Sequence, residues 1–275
     1  MGAVGESLGF VGLGNIGGPM ARRMASQAPG AIIFDAVPAA MTALAGHAEL
    51  AGSSAELGRR ARIVGVCVRD DAEVEAVVAG PEGLLAGMAA GGCILVHSTV
   101  GLDTIRRLHA VAAERGVALL DAGVTGGAVR AAEGRLVTMI GGSADAFARA
   151  QVLAATFSCD VIHAGPLGTG IILKICNNVI SYGFAMAASE GLGLAEAAGI
   201  DAEALRRVLI GNGNMNELVA AYLAGRAGAG LTTRVHARAL AAKDLGHAAE
   251  LAREVGWAGE GIEAVLRLLP GIFAD

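Results

Sequence analysis

The stretch "FVGLGNIGGPMARRM", residues 10–24, decides how the rest of this sequence is read. It opens in an apolar run, passes through Gly12, Gly14 and Gly17, and continues as a helical pattern. Glycine supplies 42 of the 275 residues, so a GxGxxG spacing by itself arises easily. Its surroundings give it weight. A second apolar run, "AIIF", is followed by Asp35, about 20 residues past the glycines, where a dinucleotide-binding β–α–β unit places the acid that holds a ribose. The glycines have separate physical tasks. Gly12 permits a tight turn, Gly14 lets the backbone approach a pyrophosphate, and Gly17 lets the helix pack close to the strand. Leu13, Asn15 and Ile16 complete the turn. The helix N-terminus behind it offers unbonded N–H groups and the positive end of its dipole to a phosphate. The Asp35 carboxylate can accept from both ribose hydroxyls and repels a 2′-phosphate, so NAD is expected ahead of NADP, with NADP left open.

Working outward, the chain up to about residue 165 alternates short β-rich runs with Ala/Leu-rich helical ones. "LGFVGLG", "AIIFDA", "IVGVCV", "CILVHST", "VALLDAGV", "RLVTMIGG" and "DVIHAGP" read as strands. "GGPMARRMASQ", "MTALAGHAEL", "SSAELGRRA", "DAEVEAVVA", "GLDTIRRLHAVAAERG" and "SADAFARAQVLAATF" read as helices. Continuous apolar strands separated by helices imply a parallel sheet covered on both faces. Beyond that point strand-like runs cease. One long helical segment extends from Gly168 to about Ala198, followed by "DAEALRRVLIG", "NELVAAYLAG" and "VHARALAAKDLGHAAELAREVG". The expected architecture is α/β: a Rossmann-type, doubly wound sheet domain over residues 1–164. An all-α domain over 165–275 follows, joined to it by the long interdomain helix.

Composition excludes several classes. Net charge is −5 and no Lys/Arg-rich run occurs, so no electrostatic footprint for nucleic acid is present. Cys67, Cys93, Cys159 and Cys176 form no CxxC pair and no His/Cys metal spacing, which points to reduced thiols, no metal and a cytoplasmic setting. The opening "MGAVGES" has no basic region followed by an apolar one, so no secretory signal is expected. Gly83 to Leu102 lacks charge, but its paired glycines, His97, Ser98 and Thr99 fit a helix, a turn and a short strand better than a membrane span.

In order along the chain, "FVGLGNIGGPMA", "LLDAGVTGGAVRAAEGRLVTMIGG", "GPLGTGIILKICNN" and "KDL" resemble the four signature stretches of the β-hydroxyacid dehydrogenases. That family includes 3-hydroxyisobutyrate dehydrogenase and tartronate semialdehyde reductase and is related to 6-phosphogluconate dehydrogenase. The resemblance runs from about residue 8 to residue 255. It implies an NAD(P)-dependent oxidoreductase that moves a hydride between nicotinamide and a small 3-hydroxy acid or its semialdehyde or keto form.

The resemblance also implies roles. Thr125, Gly126 and Gly127 stand in the substrate-binding stretch, where the usual hydroxyl residue is serine, and would hold a substrate carboxylate. Lys174 would be the general acid or base, and Asn178, four residues on and on the same helical face, would bond substrate or hold the lysine. Asn177 points about 100° away from Asn178. Lys243 would lie near the nicotinamide, with Asp244 orienting it. Thr99 matches a cofactor-contacting position, and Val68 stands where relatives carry a Leu-Pro step against the cofactor. Val96 replaces a common aspartate, and the following His97 reads as a structural hydrogen-bonder. The partner expected is a small carboxylate-bearing substrate, with no nucleic acid and no membrane, in a homodimer or homotetramer. Two rival readings are an imine reductase of the same fold, which commonly lacks lysine at position 174, and a dinucleotide-binding sensor or scaffold without turnover.

Overall fold

The computed structural model describes residues 6–215, 219–220 and 234–272. The chain forms two compact units, Met1–Lys174 and Ile175–Asp275.

The first unit is built on an eight-stranded sheet of order β3-β2-β1-β4-β5-β6-β7-β8. The strands are β1 Leu8–Val11, β2 Ile32–Phe34, β3 Glu49–Leu50, β4 Ile63–Val66, β5 Cys93–Val96, β6 Ala118–Thr125, β7 Leu136–Gly141 and β8 Ser158–Gly165. Its helices are α1 Gly17–Gln27, α2 Pro38–Thr42, α3 Ser54–Arg60, α4 Asp71–Ala79, α5 Leu84–Gly87, α6 Leu102–Glu114, α7 Gly127–Glu133 and α8 Ala144–Ala154. Helix α9, Thr169–Ala197, starts in the first unit and continues into the second.

Strands β1, β4 and β5 are buried along their whole length, as expected of a sheet covered on both faces. One face packs Phe10, Met20, Met24, Ile33, Leu95 and Phe157 into a single cluster. Every strand pair from β3 to β6 is parallel, so the carboxyl ends of these strands share one edge. The strand order reverses direction between β1 and β4, the switch point at which open α/β sheets bind ligands.

Three features depart from the sequence reading. The sheet is mixed, because β6 and β7 pair antiparallel. "MTALAGHAEL" is not one helix: α2 ends at Thr42 and the edge strand β3 takes Glu49–Leu50. Between β6 and β7 stands the seven-residue α7, which begins at two positive-φ glycines, Gly126 as its N-cap and Gly127 as its first residue. The sequence showed a glycine link there and no helix.

In the second unit, α9 is followed by α10 Ala202–Gly211, α11 Arg234–Glu254 and α12 Glu260–Ile272. Ala185 of α9, Ala241 and Leu245 of α11, and Val265 and Leu269 of α12 form its buried cluster. "NELVAAYLAG" lies outside the described residues except for 219–220. By length and composition α9 could also cross a membrane. Within it, Asn178, Ser181 and Tyr182 make hydrogen bonds inside the protein.

His97, at the end of β5, tests the quality of the first unit's core. It is buried, stacks on Phe10 at 5.9 Å between ring centroids and meets Phe157 edge-on at 5.4 Å. Burial pushes its pKa down to about 4. The unfolded chain takes up a proton at this residue near pH 6.5, whereas the folded chain resists until about pH 4. Stability is therefore full above 6.5 and falls as the pH drops through that window, by up to about 1.4 kcal/mol per unit. Urea denaturation across this range is expected to show a shallower acid loss in His97→Phe than in the wild type, each curve referred to its own value at neutral pH. Equal slopes would place His97 in contact with water.

Candidate active site

The glycine turn follows β1 at the switch point. Gly12 has φ +90° and a Cβ there would lie 2.2 Å from the Cys67 carbonyl oxygen. A Cβ at Gly17 would lie 2.0 Å from the Gly12 carbonyl oxygen. Both positions are closed by the protein itself. Gly14 is different: it is exposed, and a Cβ there meets nothing within 4 Å. Behind it, α1 starts without a side-chain cap, so no side chain competes with an anion there, although the Gly18 N–H bonds the Gly14 carbonyl at 2.8 Å and Pro19 has no N–H.

Asp35, just past β2, faces this turn. Its Oδ2 accepts from the Leu13 N–H at 2.6 Å and its Oδ1 from the Val37 N–H at 2.7 Å. The carboxylate thus locks the turn to the second strand, and each oxygen keeps a lone pair for a ribose hydroxyl. Open backbone at Gly14, a helix start that no side chain caps and an anchored acid fit a dinucleotide.

The loops after β4 and β5 are stapled together. Ser98 Oγ accepts from the Val68 N–H at 2.8 Å and donates to the Val68 carbonyl at 2.9 Å. This holds Val68 beside the loop that carries half-buried Thr99. Arg69 points its guanidinium at Glu73, one helical turn on, whose carboxyl it holds below the usual range. His97 Nδ1 donates to the Ala122 carbonyl at 2.8 Å and Nε2 has no partner, which suits a neutral core residue rather than a catalytic one.

Strand β6 outruns β5 and carries the substrate stretch at its end. Leu120, Ala122 and Val124 face the core cluster, so Asp121, Gly123 and Thr125 share the opposite face. The start of α9 rests on that face. Asp121, fully buried, accepts from the Gly168 N–H at 2.7 Å and the Ile171 N–H at 2.8 Å. Burial pushes its carboxyl up, and these amides pull it back. A Cβ at Gly123 would lie 2.7 Å from the Cβ of Lys174, so the lysine stem lies directly on the strand. Lys174 is half-buried, and a Cβ at Gly127 meets nothing within 4 Å. The first unit thus brings Gly12, Leu13, Gly14, Asn15, Ile16, Gly17, Asp35, Val68, Thr99, Thr125, Gly126 and Gly127 to one sheet edge. Lys174 is placed over the last of its parallel strands.

The second unit carries Asn178, Lys243 and Asp244. Asn178 is buried and donates Nδ2–H to Asp244 Oδ2 at 2.8 Å. Tyr182 donates to the same oxygen at 3.1 Å, and Lys243 Nζ lies 3.5 Å from Oδ1. Burial and the Asp244 charge push the Tyr182 phenol up. Asp244 is therefore the hub of a polar network rather than an accessory to Lys243 alone. Asp121, Ser98 and Tyr182 were not singled out in the sequence. Only Tyr182 had a signal, its i,i+4 spacing from Asn178.

Comparison with known proteins agrees with this geometry. Residues 7–165 match the family described as the NAD binding domain of 6-phosphogluconate dehydrogenase. Residues 168–271 match the NAD-binding domain of NADP-dependent 3-hydroxyisobutyrate dehydrogenase. An NAD-dependent L-serine dehydrogenase of Pseudomonas aeruginosa is 35% identical over 205 residues, covering 74% of this chain and 69% of that protein. A 3-hydroxyisobutyrate dehydrogenase of the same organism is 35% identical over 204 residues, covering 74% of this chain and 68% of that protein. The solved Mycobacterium tuberculosis 3-hydroxyisobutyrate dehydrogenase with L-serine superposes at a TM-score of 0.82. It is 26% identical, with 98% of this chain and 94% of that one covered. An imine reductase from Pseudomonas sp., at 18% identity and a TM-score of 0.67 over 96% of this chain and 92% of that one, shares the fold alone. The fold and its nucleotide turn define an NAD(P)-binding oxidoreductase. The chain belongs to the β-hydroxyacid dehydrogenase family, of the 3-hydroxyisobutyrate dehydrogenase type.

The glycine geometry separates binding from folding. Gly14→Val is expected to weaken NADH binding, read by fluorescence titration, with the melting temperature unchanged. Gly12→Ala and Gly17→Ala are expected to lower the melting temperature, because each new methyl group strikes a carbonyl oxygen. Unaltered NADH affinity in Gly14→Val would show that the pyrophosphate lies elsewhere.

Proposed function

We propose that this protein interconverts a small 3-hydroxy acid and its semialdehyde or keto form, using NAD ahead of NADP. The observation that carries this reading is the lysine stem seated on Gly123. It puts a proton-transferring group on the same β6 face as Thr125, which lies roughly 7 Å further along. The named relatives supply the substrate class: L-serine and 3-hydroxyisobutyrate are both alcohols at carbon 3 of a short carboxylic acid.

In this reading the bound nicotinamide supplies the hydride chemistry. Thr125 Oγ1 and the N–H groups of Gly126 and Gly127 hold the carboxylate. Lys174, neutral, takes the hydroxyl proton during oxidation and, as an ammonium, returns it to the oxygen during reduction. Asn178, whose amide N–H is committed to Asp244 and whose Oδ1 accepts from Asn177 Nδ2–H at 3.4 Å, is assigned to bonding the substrate or holding the lysine. Lys243 is assigned to the nicotinamide end of the cofactor. Asp35 supports NAD over NADP, since its carboxylate repels a 2′-phosphate, and Arg69 is paired with Glu73.

A panel of 3-hydroxy acids with NAD and NADP, followed by NADH or NADPH absorbance, tests the reading. Turnover is expected with NAD preferred. Lys174→Ala is expected to lower kcat by about 10²–10⁴-fold. Asp35→Ser is expected to shift preference toward NADP. Turnover that survives in Lys174→Ala would overturn the mechanism.

The homodimer or homotetramer belongs to the same proposal, as do a cytoplasmic setting and the absence of nucleic acid and membrane from its function. Ile180 and Phe184 of α9, Val208 of α10 and Trp257 are at least half exposed, which supports burial against another copy. Size exclusion with light scattering is expected to give a mass of two or four chains. A monomer at micromolar concentration would refute it.

A further inference from the structure

Asp121 plays no part in the reaction just described, yet its carboxylate is enclosed with unusual care. Burying such a group is unfavourable unless its oxygens are met by donors. Here Oδ1 takes the Gly168 N–H and Oδ2 takes the Ile171 N–H. Both belong to the start of α9, where backbone donors have no partner within the helix. Glycines on two elements make the socket: a Cβ at Gly141 would lie 2.5 Å from Oδ1 and one at Gly170 would lie 2.9 Å from Oδ2. A neutral apolar side chain would fill the same space without the desolvation, so space-filling alone does not call for an acid.

The direction of the grip matters. Asp121 and Gly123 are adjacent on one face of β6. The first holds the origin of α9, and the second receives the Cβ and Cγ of Lys174, 2.7 and 3.2 Å from where its own Cβ would stand. A helix pinned at its origin and seated one turn later can neither slide along the strand nor rotate over it. We propose that Asp121 is a positioning residue: by holding the amides of Gly168 and Ile171 it sets the height and rotation of α9, and through them the point from which Lys174 reaches the substrate hydroxyl. The inference rests on Lys174 as the proton-transferring group.

The test uses the full-length chain. Asp121→Asn keeps the shape but sets an NH₂ group against one of the two amide donors. Its kcat is expected to fall about 100-fold, the cost of misplacing a catalytic group by about 1 Å, with KM for NAD and NADH affinity unchanged. Hydrogen exchange at the Gly168 and Ile171 amides is expected to accelerate. Gly123→Ala is the complementary variant, displacing the lysine stem with the carboxylate grip intact. It is expected to lose kcat while both amides stay protected, and it carries the test if Asp121→Asn does not fold. Wild-type kcat in both variants, with Lys174→Ala inactive, would overturn the inference. If instead Lys174→Ala stays active, the functional reading fails. The grip is then judged by exchange alone, and unchanged protection in Asp121→Asn would overturn it.

Discussion

One buried carboxylate fixes the geometry on which the first unit's chemistry depends. Asp121 sits in the middle of β6, opposite Gly141 of β7, and bonds to the first amides of α9. It therefore joins two strands and the start of the longest helix at a single point. Charge-assisted bonds of this kind contribute about 1.5–3 kcal/mol each, enough to offset much of the cost of removing the acid from water. The positive end of the α9 dipole adds to the offset. Gly141 follows from the same constraint, since a side chain there would occupy the space of the carboxylate, while a Cβ at Gly170 would strike the Met139 carbonyl oxygen as well.

The parallel half of the sheet supplies the second constraint. Because β1, β2, β4, β5 and β6 run the same way, every loop at their carboxyl ends opens on one edge. Residues far apart in sequence, from Gly12 to Thr125, are brought to that edge by the direction of the strands that carry them. Two small devices then set the loops. The Asp35 carboxylate ties the glycine turn to the end of β2, and the Ser98 hydroxyl ties the loop after β4 to the loop after β5. A glycine turn of this kind needs such ties. Gly14 contributes no side chain, so its position depends on neighbours that are held from outside the turn.

How much of this is legible in the sequence depends on how local each cause is. Gly12, Gly14 and Gly17 are readable because each residue type answers a local demand of a turn or a helix start. Asp35 is readable because it stands at the end of an apolar strand, although its bond to Leu13 is not. The direction of β7 is unreadable, since an apolar run looks the same in parallel and antiparallel pairing. Helix α7 is short and begins at two glycines that suit a hairpin equally well. Asp121 gives no local signal at all: its partners lie 47 and 50 residues away, and its apolar neighbours only mark a strand. The family motifs place Lys174 on a helix, but only the structure shows what that helix rests on.

The same economy appears in the second unit, with a second buried acid. Asp244 gathers the Asn178 amide and the Tyr182 hydroxyl on one oxygen and has Lys243 near the other. Asn178 and Tyr182 lie one turn apart on α9, so Asp244 fixes the rotation of the helix there as Asp121 fixes it at its start. Long helices curve, and a side chain on one is only as well placed as the nearest fixed point. Lys174 and Asn178 each have such a point within about a turn and a half of helix. A buried carboxylate is well suited to this task. Its bonds are directional, and losing one leaves a charge unmatched, so neighbouring geometries are disfavoured more strongly than an apolar contact would disfavour them. Apolar packing makes α9 stable; the two acids make its position specific.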